Sequence, residues 1–276
     1  MKVYSRTIPY QHDSEVFRLV CFGDVHVGAD SCNTHEFEKM LKKHGRAKNT
    51  LLIDMGDALD AIIPKDVERR REAEVAPMFQ GVDAVVDAQL DYYCTQIEKY
   101  VDREKFLGLL SGNHHDVIVK HHGTDPTARI AKRLGIPNLG YACFYRLLFK
   151  REGKDYQEIT VKAHHGYGGG TRTEGSNMTR FAQDVAHYEG AHIFLYGHTH
   201  DKFAKPLIRV KPIKDRVHEV PIIIANTGTF LMTLSTHETP SYSEARGFPP
   251  RDIGYVIIEI TTPTDEKPYF DLHGIV

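Results

Sequence analysis

An α/β fold is predicted by two features of this sequence. Five short apolar or β-branched runs each lead into a glycine-containing polar string, which is typical of buried strands that end in loops. Helical patterns lie between most of these runs, so strands and helices alternate along the chain. Because loops at one edge of a sheet usually carry the chemistry of a rigid scaffold, the polar strings are the candidate functional residues.

Eight strands are predicted in chain order. The first five end in the polar strings and cover residues 16–22, 50–55, 106–110, 159–163 and 192–196. The last three cover residues 205–210, 220–225 and 255–260. The strings are Gly23-Asp24-Val25-His26, Gly56-Asp57-Ala58-Leu59-Asp60, Gly112-Asn113-His114, His164-His165-Gly166 and Gly197-His198-Thr199-His200.

Four helical stretches are predicted between the strands. Residues 35–48 are amphipathic, and residues 64–105 form the longest stretch, a helical insertion that we expect to break near Pro77 or Gly81. Residues 125–134 begin with Asp-Pro and end before Gly135, and residues 177–189 follow a glycine-rich loop. Since there is no internal repeat and no obvious linker, we expect residues 1–276 to form one domain.

Composition and charge exclude some classes of protein. A net charge of -2 gives no overall attraction to nucleic acid or to an anionic membrane, although a local basic patch stays open. The four cysteines contain no Cys-x-x-Cys pair, so we interpret them as small buried or inert thiols. Without a signal-peptide core or an apolar run of about 20 residues, we expect a soluble cytoplasmic protein or a phage or virus product acting inside a host cell.

The polar strings together predict a site for two metal ions. Oxygen and imidazole nitrogen are the donors that suit divalent ions of intermediate softness. Asp24 and His26 are two residues apart at a strand end, as are His198 and His200, so each pair can present both side chains on one face. Each string alone is a weak signal, because Gly-Asp is also a common turn. A paired-ion site is suited to displacement at phosphorus.

In this order, the strings resemble the calcineurin-like metallophosphoesterase superfamily, whose pattern is Asp-x-His, Gly-Asp-x-x-Asp, Gly-Asn-His, His and Gly-His-x-His. The resemblance implies a four-layer fold of two mixed β-sheets packed as a sandwich and flanked by helices. It also implies two divalent metal ions: Mn²⁺ is our first choice, with Fe, Zn or Ni as alternatives. The implied ligands are Asp24, His26 and His200 for the first ion, Asp57 as a bridge, and Asn113, His198 and either His165 or His164 for the second.

The same resemblance implies a phosphoesterase mechanism. A metal-bridging hydroxide would attack the phosphorus atom, His114 would be the general acid, and Asp60 would be the carboxylate that orients it. The chain departs from the family twice. The residue after Gly-Asn-His is His115, where the family often has an acidic residue, and the histidine before glycine is doubled. Members with His-Gly use the second histidine and members with His-His-Pro use the first, and we favour His165.

A glycine-rich loop follows this doubled histidine. Residues 166–170 resemble a phosphate-cradling loop but lack the Gly-Lys-Ser/Thr of a P-loop. Arg172 and Arg180 flank the loop and are candidate substrate-binding residues that could clamp a phosphate, or else solvated surface arginines.

We therefore expect an enzyme that hydrolyses a phosphodiester or a phosphomonoester. A nuclease acting on DNA or RNA with the same site is one alternative, although the overall charge does not indicate nucleic acid. A non-catalytic scaffold that binds metal or phosphate is the other, and a degenerate scaffold should have lost some of the donors. The expected partner is a phosphate-ester substrate, and no membrane partner is expected.

Overall fold

The computed structural model describes residues 1–61, 75–79, 84–153, 156–168, 173, 175–234, 241–245, 247–264, 267 and 269–276. Its strands are β1 (Lys2–Pro9), β2 (Val16–Phe22), β3 (Thr50–Asp54), β4 (Phe106–Leu110), β5 (Asn138–Gly140), β6 (Ala142–Lys150), β7 (Gln157–His164), β8 (Ile193–Tyr196), β9 (Lys202–Ile213), β10 (Arg216–Thr227), β11 (Val256–Thr261) and β12 (Asp271–Ile275). Its helices are α1 (Thr34–His44), α2 (Val85–Tyr100), α3 (Asn113–His122), α4 (Pro126–Leu134), α5 (Ser176–Ala182), α6 (Asp184–His187) and α7 (Tyr242–Ala245), with 3₁₀ turns at Pro77–Phe79 and Arg103–Lys105.

The strands form two six-stranded mixed sheets. One sheet has the order β1-β6-β7-β8-β10-β9, and the other has the order β12-β11-β2-β3-β4-β5. The strands β2 to β5 are parallel, as are β7, β8 and β10, while β9, β11 and β12 run antiparallel to their neighbours. The predicted sandwich of two mixed sheets with helices outside is confirmed.

Three apolar clusters hold these layers together. The inner faces of both sheets meet in one cluster, to which Leu19 and Ile53 contribute from one sheet and Val161 and Ile223 from the other. A second cluster lies between the outer face of the β2-containing sheet and helices α1, α2 and α4. A third, smaller cluster packs Phe181 of α5 against the outer face of the other sheet. Burial of apolar side chains on both faces explains why the predicted strands are nearly continuous apolar runs.

The predicted elements agree with the structure where their signals are local. β2 and β4 have the predicted bounds, and α4 begins after Asp125, whose side chain accepts from the Ala128 N–H, and ends at Gly135 in a left-handed conformation. The predicted insertion over residues 64–105 lies partly outside the described residues, as does Gly81. Within the described part, α2 and the turn at Pro77–Phe79 are helical.

Several elements were missed. The edge strand β1 has one buried residue, so it lacks the apolar run that marks the others. Its partner β6 alternates buried and less buried residues. Helix α3 begins at Asn113 without a side-chain cap, so the usual start signal is absent. Within the described residues, no helix is long and apolar enough to cross a membrane.

The order of the strands in the two sheets determines where the polar strings meet. The polar strings follow the carboxyl ends of β2, β3 and β4 in one sheet and of β7 and β8 in the other. Because the carboxyl ends of neighbouring parallel strands lie along one edge, the donors converge there from five segments that are distant in sequence.

Candidate metal centre

The predicted donors come together in three overlapping groups. Each group contains ligand atoms that lie within 4.8 Å of one another. The groups are Asp24 with His26 and His200, His26 with Asp57 and His114, and Asp57 with His165 and His198. Asp57 and His26 each belong to two of them, so Asp57 lies near donors from both predicted ion sets.

The second-ion group is Asp57, Asn113, His165 and His198. Asn113 Oδ1 lies 2.8 Å from His198 Nδ1 and 3.2 Å from His165 Nε2, and the latter atom lies 3.3 Å from Asp57 Oδ2. With metal–donor distances of about 2.1 Å, neighbouring donors are about 3.0 Å apart in an octahedron and about 3.4 Å apart in a tetrahedron. The spacing of this group therefore fits one divalent ion.

Main-chain carbonyls set the orientation of both imidazoles in this group. His165 donates its Nδ1–H to the Met55 oxygen at 2.7 Å, and His198 donates its Nε2–H to the Gly168 oxygen at 2.8 Å. Because a carbonyl can only accept, each neutral ring carries its proton on the outer nitrogen. The inner nitrogen of each ring then has a lone pair directed at the shared centre, which is the usual arrangement of metal-binding histidines.

The first-ion group is Asp24, His26 and His200. Asp24 Oδ1 lies 3.8 Å from His26 Nε2 and 3.5 Å from His200 Nε2. Asp24 Oδ1 and His26 Nε2 are buried polar atoms that have no hydrogen-bond partner among the described residues. Buried polar atoms are rarely left without a partner in native proteins, so these two fit the role of cation ligands.

Electrostatics in the site are dominated by the two aspartates. Burial by itself raises the pKa of Asp57, but His165 and His114 hold it well below the usual range. Burial lowers the pKa of His165, and Asp57 more than offsets this, so that the pKa is raised to about 9. The carboxylates therefore stabilise positive charge here, whether it is a proton or a metal ion.

Two glycines let the carboxylates reach main-chain N–H groups. The Asp57 Oδ1 atom accepts from the His114 N–H at 3.0 Å, and a Cβ atom at Gly112 would lie 2.0 Å from that oxygen. The Asp24 Oδ2 atom accepts from the His198 N–H at 2.7 Å, and a Cβ atom at Gly197 would lie 2.8 Å from it. The glycines of these strings are thus required by close approach.

Backbone strain is concentrated at the donors. Nine non-glycine residues in the described chain have positive φ, and five of them are candidate ligands: Asp24, His26, Asp57, His198 and His200. A left-handed conformation costs a non-glycine residue about 1–3 kcal/mol, and such residues cluster at functional sites. These left-handed residues turn the chain so that the donor side chains of each loop face the candidate metal centre.

Asp60 contacts two histidines, one through its main-chain oxygen and the other through its carboxylate. His114 donates its Nδ1–H to the main-chain oxygen of Asp60 at 2.7 Å, whereas the Asp60 carboxylate is 3.5 Å from the same nitrogen. The carboxylate is closer to His26, whose Nδ1 is 3.3 Å from Asp60 Oδ1. The predicted pairing of Asp60 with His114 therefore runs mainly through the main chain, and the side chain holds a candidate ligand.

The geometry at the end of β7 shows which residue of the His164-His165 pair faces the donors. Successive residues of a strand point to opposite faces, so only one of the two can face the donors. His165 is in the second-ion group, whereas His164 accepts from the Gly166 N–H at 2.9 Å and packs edge-on against Tyr141 and Tyr167. The structure places His165, and not His164, among the donors.

Comparisons with known proteins bear on the fold. One matching solved structure is a predicted phosphoesterase from Streptococcus pneumoniae, with 12% identity and a TM-score of 0.34, covering 95% of this chain and 99% of that one. Another is NAD nucleotidase from Haemophilus influenzae, with 11% identity and a TM-score of 0.42, covering 95% of this chain and 50% of that one. Vps29 from Entamoeba histolytica in complex with Zn²⁺ also matches, with 10% identity and a TM-score of 0.35, covering 94% of this chain and 98% of that one. No protein-family model and no curated protein matches the chain. Identities this low and TM-scores below 0.5 do not transfer an activity.

The decisive observation is in the chain itself, where all five strings converge at the strand ends of a two-sheet sandwich. This is the architecture that the resemblance to the calcineurin-like metallophosphoesterases implied. Within this fold, a cluster of His and Asp donors lies where the motifs predict it.

His115 makes contacts beside the donors that the sequence did not indicate. The ring is fully buried, and its Nε2 accepts from the Leu59 N–H at 3.2 Å while its Nδ1 lies 2.8 Å from Thr127 Oγ1. Leu59 belongs to the loop that carries Asp57 and Asp60. His115 therefore anchors this loop to the start of α4, and a buried acceptor has no signature in sequence alone.

The two predicted substrate-binding arginines have different outcomes. Arg172 lies outside the described residues. Arg180, on α5, donates from Nη1 to Asn177 Oδ1 at 2.8 Å and to the Tyr167 oxygen at 3.3 Å. Its guanidinium lies against Gly168, the residue whose carbonyl accepts from His198.

Proposed function

We propose that this chain is a dinuclear metal-dependent hydrolase of phosphate esters. One observation carries the proposal: the buried Asp57 carboxylate has a ligand atom within 4.8 Å of one in His26, a donor of the first-ion group, and of those in His165 and His198, donors of the second. A protein that only bound phosphate would have no use for carboxylates at this point, because they repel phosphate. The second-ion spacing and the unpartnered Asp24 and His26 atoms support the same conclusion.

The donors divide between two ions. Asp24, His26 and His200 would hold the first, Asn113, His165 and His198 the second, and Asp57 would bridge them. Mixed nitrogen and oxygen donors suit manganese, iron, zinc and nickel, and of these we favour Mn²⁺. Such a pair of ions, when bound, makes water a nucleophile near neutral pH and neutralises charge on the phosphate oxygens.

His114 is suited to protonating the leaving group. Because its Nδ1–H is engaged by the Asp60 oxygen, the exchangeable proton sits on Nε2. The Asp60 carboxylate lies 3.5 Å from Nδ1, and the ring is only partly buried, so a substrate oxygen can approach it. Proton donation by such a group typically contributes about 10² to 10⁴ in rate.

Two alternatives share this site. A nuclease would use the same donors on a longer substrate. A non-catalytic scaffold would bind metal without turnover, and the complete set of donors together with His114 argues against it. We favour a small phosphodiester or phosphomonoester as substrate.

Metal analysis followed by a rate panel tests the proposal. The purified protein should bind two equivalents of Mn²⁺ and hydrolyse at least one of bis-p-nitrophenyl phosphate, p-nitrophenyl phosphate, a cyclic nucleotide and single-stranded DNA. Asp57→Asn keeps the shape of the side chain but removes the shared negative charge. We expect it to lower ion stoichiometry and to reduce the rate by at least about 10³.

The same panel separates the alternatives. Cleavage of the single-stranded DNA alone would favour the nuclease. Two bound ions without hydrolysis of any ester, in manganese, nickel, cobalt or zinc, would favour the scaffold and overturn the enzyme.

A further inference from the structure

A buried aspartate ends β3, a strand whose preceding residues are apolar. Asp54 follows the run Leu51-Leu52-Ile53, and its side chain is fully buried. A carboxylate in such a position is costly unless hydrogen bonds replace the water that it has lost. Asp54 belongs to none of the donor groups found among the described residues, so the metal centre does not use it as a ligand. Its position three residues before Asp57 requires another explanation.

Two hydrogen bonds satisfy the Asp54 carboxylate. Oδ1 accepts from the Gly56 N–H at 2.7 Å, and Oδ2 accepts from the Tyr93 hydroxyl at 2.5 Å. Tyr93 lies on α2 and is fully buried, and its ring stacks on that of Phe37 from α1 with 5.9 Å between the ring centres. The carboxylate thus connects the outer layer of helices to the main chain beside Asp57.

The main chain at this point contacts ligands of both predicted ions. We give the name β3 turn to four successive residues at the end of this strand, Asp54, Met55, Gly56 and Asp57. The carbonyl of Met55 accepts from Nδ1–H of His165 at 2.7 Å. The next two carbonyls accept from the main-chain N–H groups of Asp24 and His26, at 2.8 and 3.0 Å respectively. The position of the β3 turn therefore sets the positions of ligands from both groups.

Gly56 is the residue of the β3 turn with the greatest conformational freedom. Its φ is 105°, and a Cβ atom there would lie 2.6 Å from His165 Nδ1, so a side chain does not fit. Because glycine has a wider range of backbone conformations than any other residue, a bond to its N–H restricts the peptide groups on either side. Asp54 supplies that bond, and Tyr93 fixes Asp54.

We propose that Tyr93 and Asp54 are positioning residues that hold the β3 turn in the geometry required by both metal ions. The inference rests on the metal-binding part of the proposed function and goes beyond it, since neither residue is a ligand. A loosened turn would displace Asp57 together with the carbonyls that contact His165 and the loop of Asp24. The affinities for both ions should therefore fall together, whereas the loss of one imidazole should affect mainly one ion.

Tyr93→Phe tests the proposal, because it removes the hydroxyl and keeps the ring that packs on Phe37. We expect the affinity for Mn²⁺ at both sites, measured by calorimetry with chelator competition, to fall about tenfold. The matched control is Tyr10→Phe, which removes another buried hydroxyl, bonded to Gln157 Oε1 at 3.1 Å. Gln157 begins β7, at the end of that strand opposite His165. The control should lower Tm and leave both affinities unchanged.

Two variants of Asp54 separate the geometry of the turn from its charge. Asp54→Asn keeps an acceptor for the Gly56 N–H and can donate to the Tyr93 oxygen, so both affinities should stay within about threefold of the wild-type values. Asp54→Ala removes both bonds and should lose at least as much affinity as Tyr93→Phe. Equal losses in the two Asp54 variants would assign the effect to the negative charge and overturn the positioning role.

Two results with Tyr93→Phe would also overturn the inference. One is a lowered Tm with wild-type Mn²⁺ affinities, which would make Tyr93 a residue of the core alone. The other is a loss confined to one ion. A wild-type protein that binds none of manganese, iron, zinc and nickel would instead defeat the proposed function. Because binding is measured directly, the comparison between variants does not depend on ester hydrolysis.

Discussion

The two donor groups differ in how firmly they are built. In the second-ion group, three pairs of donor atoms are 2.8–3.3 Å apart, and both imidazoles are fixed by main-chain carbonyls. In the first-ion group the spacings are 3.5 and 3.8 Å, and the His200 side chain is 29% exposed. Among the described residues, no main-chain carbonyl pairs with His26, whose Nδ1 is close to the Asp60 carboxylate instead.

This difference in donor spacing predicts which ion should be held more tightly. Donors that already have the spacing of a coordination shell need little rearrangement, so less of the binding energy is lost in ordering them. We therefore expect the second ion to bind first and leave last. The first ion, nearer to His114 and to solvent, should exchange more readily.

Among the variants that leave both donor groups loaded, the replacement of His114 should have the largest effect on rate. His114→Gln removes the proton donor, so we expect a loss of about 10² to 10⁴ in kcat for an ester with a poor leaving group. A p-nitrophenyl ester needs little protonation and should lose much less. The measurement is the rate on both esters together with metal content.

Two results would break this assignment. Full activity on the poor leaving group would remove His114 from the proton-transfer role. Loss of one metal equivalent would make it a ligand, since its ring lies 4.5 Å from that of His26.

Chelator titration tests the comparison directly. The wild-type protein should release its ions in two steps. His200→Ala should weaken the early step and His165→Ala the later one, each by about 10- to 100-fold in affinity. The two variants are a matched pair, because each removes one imidazole. A single step, or the reverse assignment, would show that the tighter spacing does not give the tighter site.

The smallest effect is expected at His115, which supports the loop between the two groups. His115→Leu leaves the Leu59 N–H without its acceptor, and we expect the affinity for both ions to fall about tenfold. His115→Gln can still accept this bond and should restore most of the affinity. Equal losses in both variants would indicate that His115 contributes only packing.

His115 also predicts a pH dependence for the metal-free protein. Burial lowers its pKa to about 4, below the value of about 6.5 expected in an unfolded chain. The neutral ring thus contributes stability that is present above about pH 6.5 and is lost as the pH falls toward about 4. His115→Gln should lose less Tm between pH 7 and pH 5 than the wild-type protein, and an identical loss would contradict this contribution.

Much of the candidate site could be predicted from sequence because its motifs are local. A glycine is needed wherever a carboxylate approaches the backbone, as at Gly112 and Gly197, so the donors stay next to recognisable glycines. The strands that precede the donors are buried on both faces, so their sequences are apolar runs. Edge elements such as β1, and α3 with no side-chain cap, lack such local signals and were missed.

The fold class, the order of the polar strings and the donor types for a pair of divalent ions could be predicted from residue types and their spacing. Three further features are seen only in the folded chain: His165 faces the donors, Asp60 uses its main chain for His114 and its carboxylate for His26, and His115 supports the loop. The physical reason is that residue types and spacings within one segment are set by local backbone geometry. Contacts between segments depend on how the two sheets and their helices pack, which no single segment encodes.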